Sequence, residues 1–288
     1  MATRAPHGSV ESIRRRQQVG DILHLVLVVL ACVAAIFPFY WMIKSSLTTQ
    51  SAFTWPPEMI PTSISFEPYV NVINNYPVVR WFLNSSFVAV VTTFFAVLIA
   101  LNAGLALSRY RTRLTGTFGA AILITQMLPA TLLVIPMFII FRNVKLIDSL
   151  WGLVIANLAF ALPLAIWVLK GFFDGIPREI EEASMIDGSS EVGAFYRVTI
   201  PLALPGIIAV SIYAFMVSWG EFFFARTLIN QETNWVFTVG LSSFRGEHTL
   251  QWSELLAAAT IFTIPPLLFF AGLQRHLISG MTGGAVKG

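Results

Sequence analysis

The sequence holds a single cysteine, Cys32, so an intrachain disulfide is impossible and the redox compartment cannot be read from it. Charge is also scarce: Asp, Glu, Lys and Arg together make up 11% of the residues. The four histidines, His7, His24, His248 and His276, are too scattered to suggest a metal site. No GxxxxGK[ST] phosphate loop, GxGxxG, HExxH or GxSxG motif occurs. An intramembrane enzyme would need a nucleophile and base, or a metal cluster, on facing spans, and the chain offers neither. No basic, aromatic-interleaved patch is present. The formal charge of +3 therefore says little about nucleic acid, because most Lys and Arg lie at the ends of apolar runs.

What the chain has in excess is apolar surface. In 288 residues, 56% are hydrophobic and mean hydropathy is +0.74, more than a soluble domain carries. The composition predicts an all-α integral membrane protein. Residues 1–20 form a polar, basic N-terminal tail with Arg4, Arg14, Arg15 and Arg16. A first apolar run follows from about 22 to 43. It is too long for a secretory signal and continues into Phe37, Phe39, Tyr40 and Trp41, which predicts an uncleaved span.

Residues 44–80, rich in proline, read as an extramembrane loop with one short helix around Tyr69 to Asn75. Further spans are predicted at about 85–107, 117–141, 151–173, 206–228 and 255–273, each near the roughly 20 residues needed to cross the hydrocarbon core. Together, 21–276 read as a six-span transmembrane domain, with a C-terminal tail over 277–288. In the second span Ala96, Ala100 and Gly104 recur every four residues, a stripe that lets helices approach closely in lipid. With the N-terminus inside, the cytoplasmic segments hold 12 of the 18 basic residues: Arg4, Arg14, Arg15, Arg16, Arg109, Arg111, Arg113, Lys170, Arg178, Arg197, Arg275 and Lys287. That bias predicts both termini in the cytoplasm.

The most informative stretch is polar, Glu181 to Gly206, between two apolar runs. Pro177 suits the start of a helix, and Glu179, Glu181 and Glu182 follow where carboxylates complement the positive helix end. Gly188 supplies a left-handed residue to end it, and Ser189 or Ser190 caps a second short helix that Pro201 and Pro205 stop. The result is a helical hairpin over 177–205, on the cytoplasmic side by the charge count.

Glu182-Ala183-Ser184, Gly188 three residues on, and Val198-Thr199-Ile200-Pro201 nine residues later resemble the EAA loop of permease subunits of ATP-binding cassette importers. Ser184, Val198 and Ile200 depart from the usual Ala, Ile and Leu by small or apolar exchanges. The tail LISGMTGGAVKG, Leu277 to Gly288, is similar to the C-terminus of maltose-type permeases, with Met281 in place of Leu. SWGEFFFA resembles their W-N-E-[FY] segment, with Gly220 in place of Asn.

The resemblance implies a type I importer permease fold in a bacterial or archaeal cytoplasmic membrane, carrying a di- or oligosaccharide of maltose or trehalose type. Glu182, Ala183, Ser184, Asp187 and Gly188 would shape the coupling helix, and Val198, Ile200 and Pro201 would join it to the fifth span. Implied partners are a second six-span permease, two ATP-binding cassette ATPase subunits that carry the ATP and Mg, and an extracytoplasmic solute-binding protein. Gly280 to Gly288 would reach toward the ATPases. No cofactor is expected on this chain, which is then a transport subunit and not itself an enzyme.

Polar side chains inside the spans are the candidates for a solute pathway: Glu221 and Trp219 in the fifth, Gln126 in the third and Asn157 in the fourth. Each is open to a second reading, a hydrogen bond to a neighbouring span. A permease of the same importer family for polyols, glycerol phosphodiesters or amino acids stays open beside sugar. A secondary transporter is disfavoured, since no internal repeat and only one intramembrane carboxylate appear.

Overall fold

A computed structural model describes residues 8–49, 58–61, 63–110, 112–244 and 251–285, with the backbone alone described at 8–16, 19 and 276–285. Among these residues the chain is all-helical. It runs α1 (Gly8–Ser46), α2 (Glu67–Asn75), α3 (Val78–Arg109), α4 (Arg113–Thr125), α5 (Ala130–Asn143), α6 (Leu150–Asp174), α7 (Arg178–Ile186) and α8 (Glu191–Ala194). A π-helical turn (Phe195–Thr199) leads into α9 (Ile200–Leu202) and α10 (Leu204–Trp219). Then come α11 (Phe223–Leu228), a 3-10 turn (Glu232–Asn234), α12 (Phe237–Ser243) and α13 (Trp252–Ala285).

Four described helices are long and apolar enough to cross a bilayer: Gly20–Ser46 within α1, α3, α6, and Trp252–Arg275 within α13. The expected six spans are reached only if two bent pairs each count as one. The stretch 117–141 is not continuous: α4 and α5 meet at 102° across the break before Pro129. Nor does the fifth helix run to Leu228, since α10 stops at Trp219 with Gly220 as its C-cap. The polar tails are helical where described: α1 begins at Gly8 and α13 continues to Ala285, while residues 1–7 and 286–288 lie outside the described residues.

The chain divides into two compact units. The first comprises residues 1–70 and 251–260. In it the apolar length of α1 is exposed, and its C-terminal turn is tied down: the Ser46 and Tyr69 hydroxyls lie 2.7 Å apart and Ser65 N donates to the Leu47 carbonyl at 2.8 Å.

The second unit comprises residues 71–250 and 261–288 and is organised on α3, α6 and α10. The small-residue stripe is what lets these three approach. Ala96 of α3, Ala161 of α6 and Ala214 of α10 form one fully buried cluster, and Ala100 packs with Ala165 and Val210. A methyl on Gly104 would lie 3.1 Å from the Lys170 backbone nitrogen, so α3 and α6 touch backbone to backbone there. In the same unit Trp81 is wholly buried, edge-on to Phe237 and Phe244, and the missing side chain of Gly240 makes room for its indole.

Candidate coupling site

The hairpin predicted between two apolar runs is present as α7, a tight turn, α8 and the π-helical turn. Helix α7 follows Pro177 and carries Glu179 and Glu181 in its first turn. Its C-terminus is a full Schellman closure. Gly188 N donates to the Met185 carbonyl at 3.1 Å and Ser189 N to the Ser184 carbonyl at 3.0 Å, with Gly188 at φ +94°. Of the two candidate caps it is Ser190 that serves, its Oγ accepting from Gly193 N at 3.1 Å.

Pro201 does not stop the second helix, contrary to expectation, and α9 carries the helical path to Leu202. Lacking an N–H, Pro201 cannot bond back one turn, and the chain widens to a π turn in which Ile200 N reaches the Phe195 carbonyl. The bend comes at Ala203, where the 191–202 segment meets α10 at 73°.

The turn presents an apolar edge. Ile186 is 86% exposed, more than any other large hydrophobic residue described, and Val192 and Tyr196 stand 65% and 60% exposed. Glu182, Ala183, Asp187 and Gly188 are exposed beside them, and Ser184 is half-buried. Val198 and Ile200 are half-buried at the joint, while Pro201 faces out. A cavity of about 260 Å³ opens between the hairpin and the end of α3, lined by Leu105, Arg109, Glu181, Glu182, Met185 and Glu191 among others.

What sequence reasoning missed is the anchor beneath. The Arg109 guanidinium grips Glu181, Nη2 to Oε1 at 2.6 Å and Nε to Oε2 at 3.2 Å. It also donates to the carbonyls of Phe173 at 3.0 Å and Ile176 at 3.3 Å. Thr199 Oγ1 donates to Glu181 Oε1 at 2.9 Å, and Arg178 donates to the Arg109 carbonyl. Beside it, Asp174 accepts from Ser108 Oγ at 2.7 Å and pairs with Lys170 at 2.5 Å. Seventy-two positions separate Arg109 from Glu181, so no local pattern announces the pair; Arg109 entered the sequence argument only as one of the basic residues that orient the chain.

Each of the four polar residues proposed for a pathway makes a hydrogen bond within this chain. Glu221 sits in the break between α10 and α11, not inside a helix. Its Oε1 accepts from Phe224 N at 2.8 Å and its Oε2 from Ala225 N at 2.9 Å, capping α11. Trp219 is buried in a stack with Phe215 and Phe262, and its indole N–H donates to the Phe262 carbonyl at 3.2 Å. Asn157 is buried and donates to Ser218 Oγ at 3.0 Å. Gln126 caps the end of α4 and donates to the Phe160 carbonyl at 3.0 Å. No group of three His, Cys, Asp or Glu able to hold a metal occurs among the described residues.

Several apolar helices long enough to span a bilayer define a multi-pass membrane protein. The chain belongs to the family described as binding-protein-dependent transport system inner membrane component, whose profile matches residues 92–283. It is 34% identical over 259 residues to the inner membrane ABC transporter permease protein YcjP of Escherichia coli (strain K12), covering 89% of this chain and 92% of that one. It is 31% identical over 275 residues to the diacetylchitobiose uptake system permease protein DasC of Streptomyces coelicolor (strain ATCC BAA-471 / A3(2) / M145), covering 95% and 100%. Its fold matches a chain in the crystal structure of a bacterial ABC transporter that imports the acidic polysaccharide alginate, with a TM-score of 0.79 at 22% identity over 91% of this chain and 97% of that one. The type I importer permease fold and the carbohydrate-type resemblance read from the sequence are both supported by these matches.

Proposed function

We propose that this chain forms half of the membrane pathway of an ATP-driven importer for a di- or oligosaccharide, and that the hairpin over 177–205 is where it meets an ATPase subunit. The observation that carries the proposal is the hairpin tip. Ile186, Val192 and Tyr196 expose an apolar edge with Glu182, Asp187 and Glu191 beside it, on a backbone closed by Gly188 and Ser190. An edge of this kind, left in water, is unfavourable until a partner covers it.

The remaining parts follow. Six spans give half of such a pathway, so a second six-span permease completes it. ATP and Mg are held by two partner ATPases, whose closure carries the hairpin and shifts the spans between inward-facing and outward-facing states. A solute-binding protein delivers the sugar from outside, and both termini lie in the cytoplasm. Sugar is favoured by the C-terminal tail, by the diacetylchitobiose relative and by the alginate importer's fold.

The test is ATPase activity of the complex purified from its native membrane through a tag on this chain and placed in liposomes with its binding protein. Trehalose, maltose and diacetylchitobiose serve as test sugars, with a polyol as control. Sugar-stimulated hydrolysis in wild type, lost in Ile186→Asp and weakened in Glu182→Ala, supports the reading. Stimulation unaffected by both substitutions removes the hairpin from coupling, and stimulation by the polyol alone removes sugar.

A further inference from the structure

We infer that Arg109 is the positioning residue that makes the hairpin move as one body with the C-terminal ends of α3 and α6; the inference rests on the hairpin's proposed role. The two halves of the hairpin are held differently. On the α8 side the anchor is apolar: Ala194 is buried and the Phe195 ring lies 6.3 Å from that of Phe173. Helix α7 buries no residue at all. Its side-chain ties are two: Arg178 donates to the Arg109 backbone carbonyl, and the Glu181 carboxylate is held by Arg109 and Thr199.

Arg109 is also the last residue of α3, and its guanidinium donates to the Phe173 carbonyl at the end of α6, which also accepts from Ile176 N at 3.1 Å, and to the Ile176 carbonyl just past that helix. One planar fork thus joins three chain segments, which lysine's single ammonium cannot do with the same geometry. The side chains are 13% and 19% exposed, so the junction is largely shielded from solvent. A displacement imposed on α7 passes through this fork into both helices of the core. Without it, α7 keeps only the chain through 175–177 and the bond from Arg178 to the Arg109 backbone carbonyl, which reaches α3 and not α6.

The test uses the same reconstituted complex and reads sugar moved per ATP hydrolysed. Arg109→Gln is expected to assemble and hydrolyse ATP while transport per ATP falls about tenfold, the size of an ordinary coupling term. Arg109→Lys should lie between it and wild type. Arg109→Gln combined with Glu181→Gln should be no worse than the first change alone, because both remove the same link.

Should Arg109→Gln fail to assemble, Thr199→Val decides. It removes one bond to Glu181 without stranding a charge, and a fall of about threefold in transport per ATP is expected. A wild-type ratio in Arg109→Lys and Thr199→Val, or a proportional loss of hydrolysis and transport in every variant, overturns the inference. Its failure is distinct from that of the docking proposal: if Ile186→Asp abolishes stimulation while Arg109→Gln keeps a wild-type ratio, the hairpin docks but Arg109 does not link it.

Discussion

Asn157 Nδ2 on α6 donates to Ser218 Oγ on α10 at 3.0 Å, with both residues buried. This bond stitches the two helices close to the point where α10 ends. A polar pair inside a bundle of this kind contributes about 0.6 kcal/mol on average and at most about 1.7. A double-mutant cycle with Asn157→Leu and Ser218→Ala, read by thermal unfolding in detergent, is expected to return a coupling energy in that range. The concentration of sugar giving half-maximal transport should stay at the wild-type value. A large rise in that concentration with no change in stability would place Asn157 in the solute pathway instead.

Glu221 gives a sharper case, since each carboxylate oxygen accepts a backbone N–H of α11. Glu221→Ala leaves the donors of Phe224 and Ala225 without acceptors and is expected to cost about 1–3 kcal/mol. Glu221→Gln keeps one acceptor and should lose about half as much. Thermal unfolding of the purified chain orders the three proteins. Equal stability across them would show that the cap is dispensable.

These two residues show what was legible in the sequence. Apolar runs mark helices well because burial or lipid exposure needs little more than composition, and the hairpin was readable because Gly188 and Ser190 act through local backbone geometry. Breaks inside apolar runs were not. Hydropathy is continuous through Met127 and Leu128 and through Phe222 to Phe224, so 117–141 and 206–228 each look like one span. Yet α4 ends at Thr125 and α5 starts only after Pro129, and α10 ends at its Gly220 C-cap. Glu221, read as a costly charge in mid-helix, is the acceptor that satisfies the backbone at one such break. The Arg109–Glu181 link is non-local and could not be found by any window.

Asp148 joins two connecting segments. It sits at φ +57°, and its Oδ1 accepts from Asn230 N at 2.5 Å and Gln231 N at 2.8 Å. Burial pushes its pKa up, but the N–H groups of Gln231 and Asn230 and the Asn230 amide outweigh that and leave it below the ordinary 3.8. Because the folded value is depressed, the clasp's stabilisation is present in full above about pH 4 and is lost as pH falls through the folded value. Hydrogen exchange at the amides of 230 and 231, compared at one intrinsic exchange rate, should therefore accelerate between pH 4 and lower values. Asp148→Asn tolerates the same positive φ and cannot ionise, so its protection should be weaker and independent of pH over that interval. A wild-type profile equally flat would show that the carboxylate's charge adds nothing.

The tip of the hairpin tests whether a backbone conformation or an open space selected glycine. A methyl group on Gly188 would meet nothing within 4 Å, so room is not the constraint within this chain; φ +94° is. An alanine there should cost about 1 kcal/mol in closing the turn, and asparagine less, since its short amide tolerates positive φ better. The reporter is the Ser189 amide, which donates to the Ser184 carbonyl only when the turn is closed. Its hydrogen exchange should speed up about fivefold in Gly188→Ala and less in Gly188→Asn, although asparagine is the larger side chain. The opposite order would mean that size, and not backbone strain, is what position 188 cannot accept.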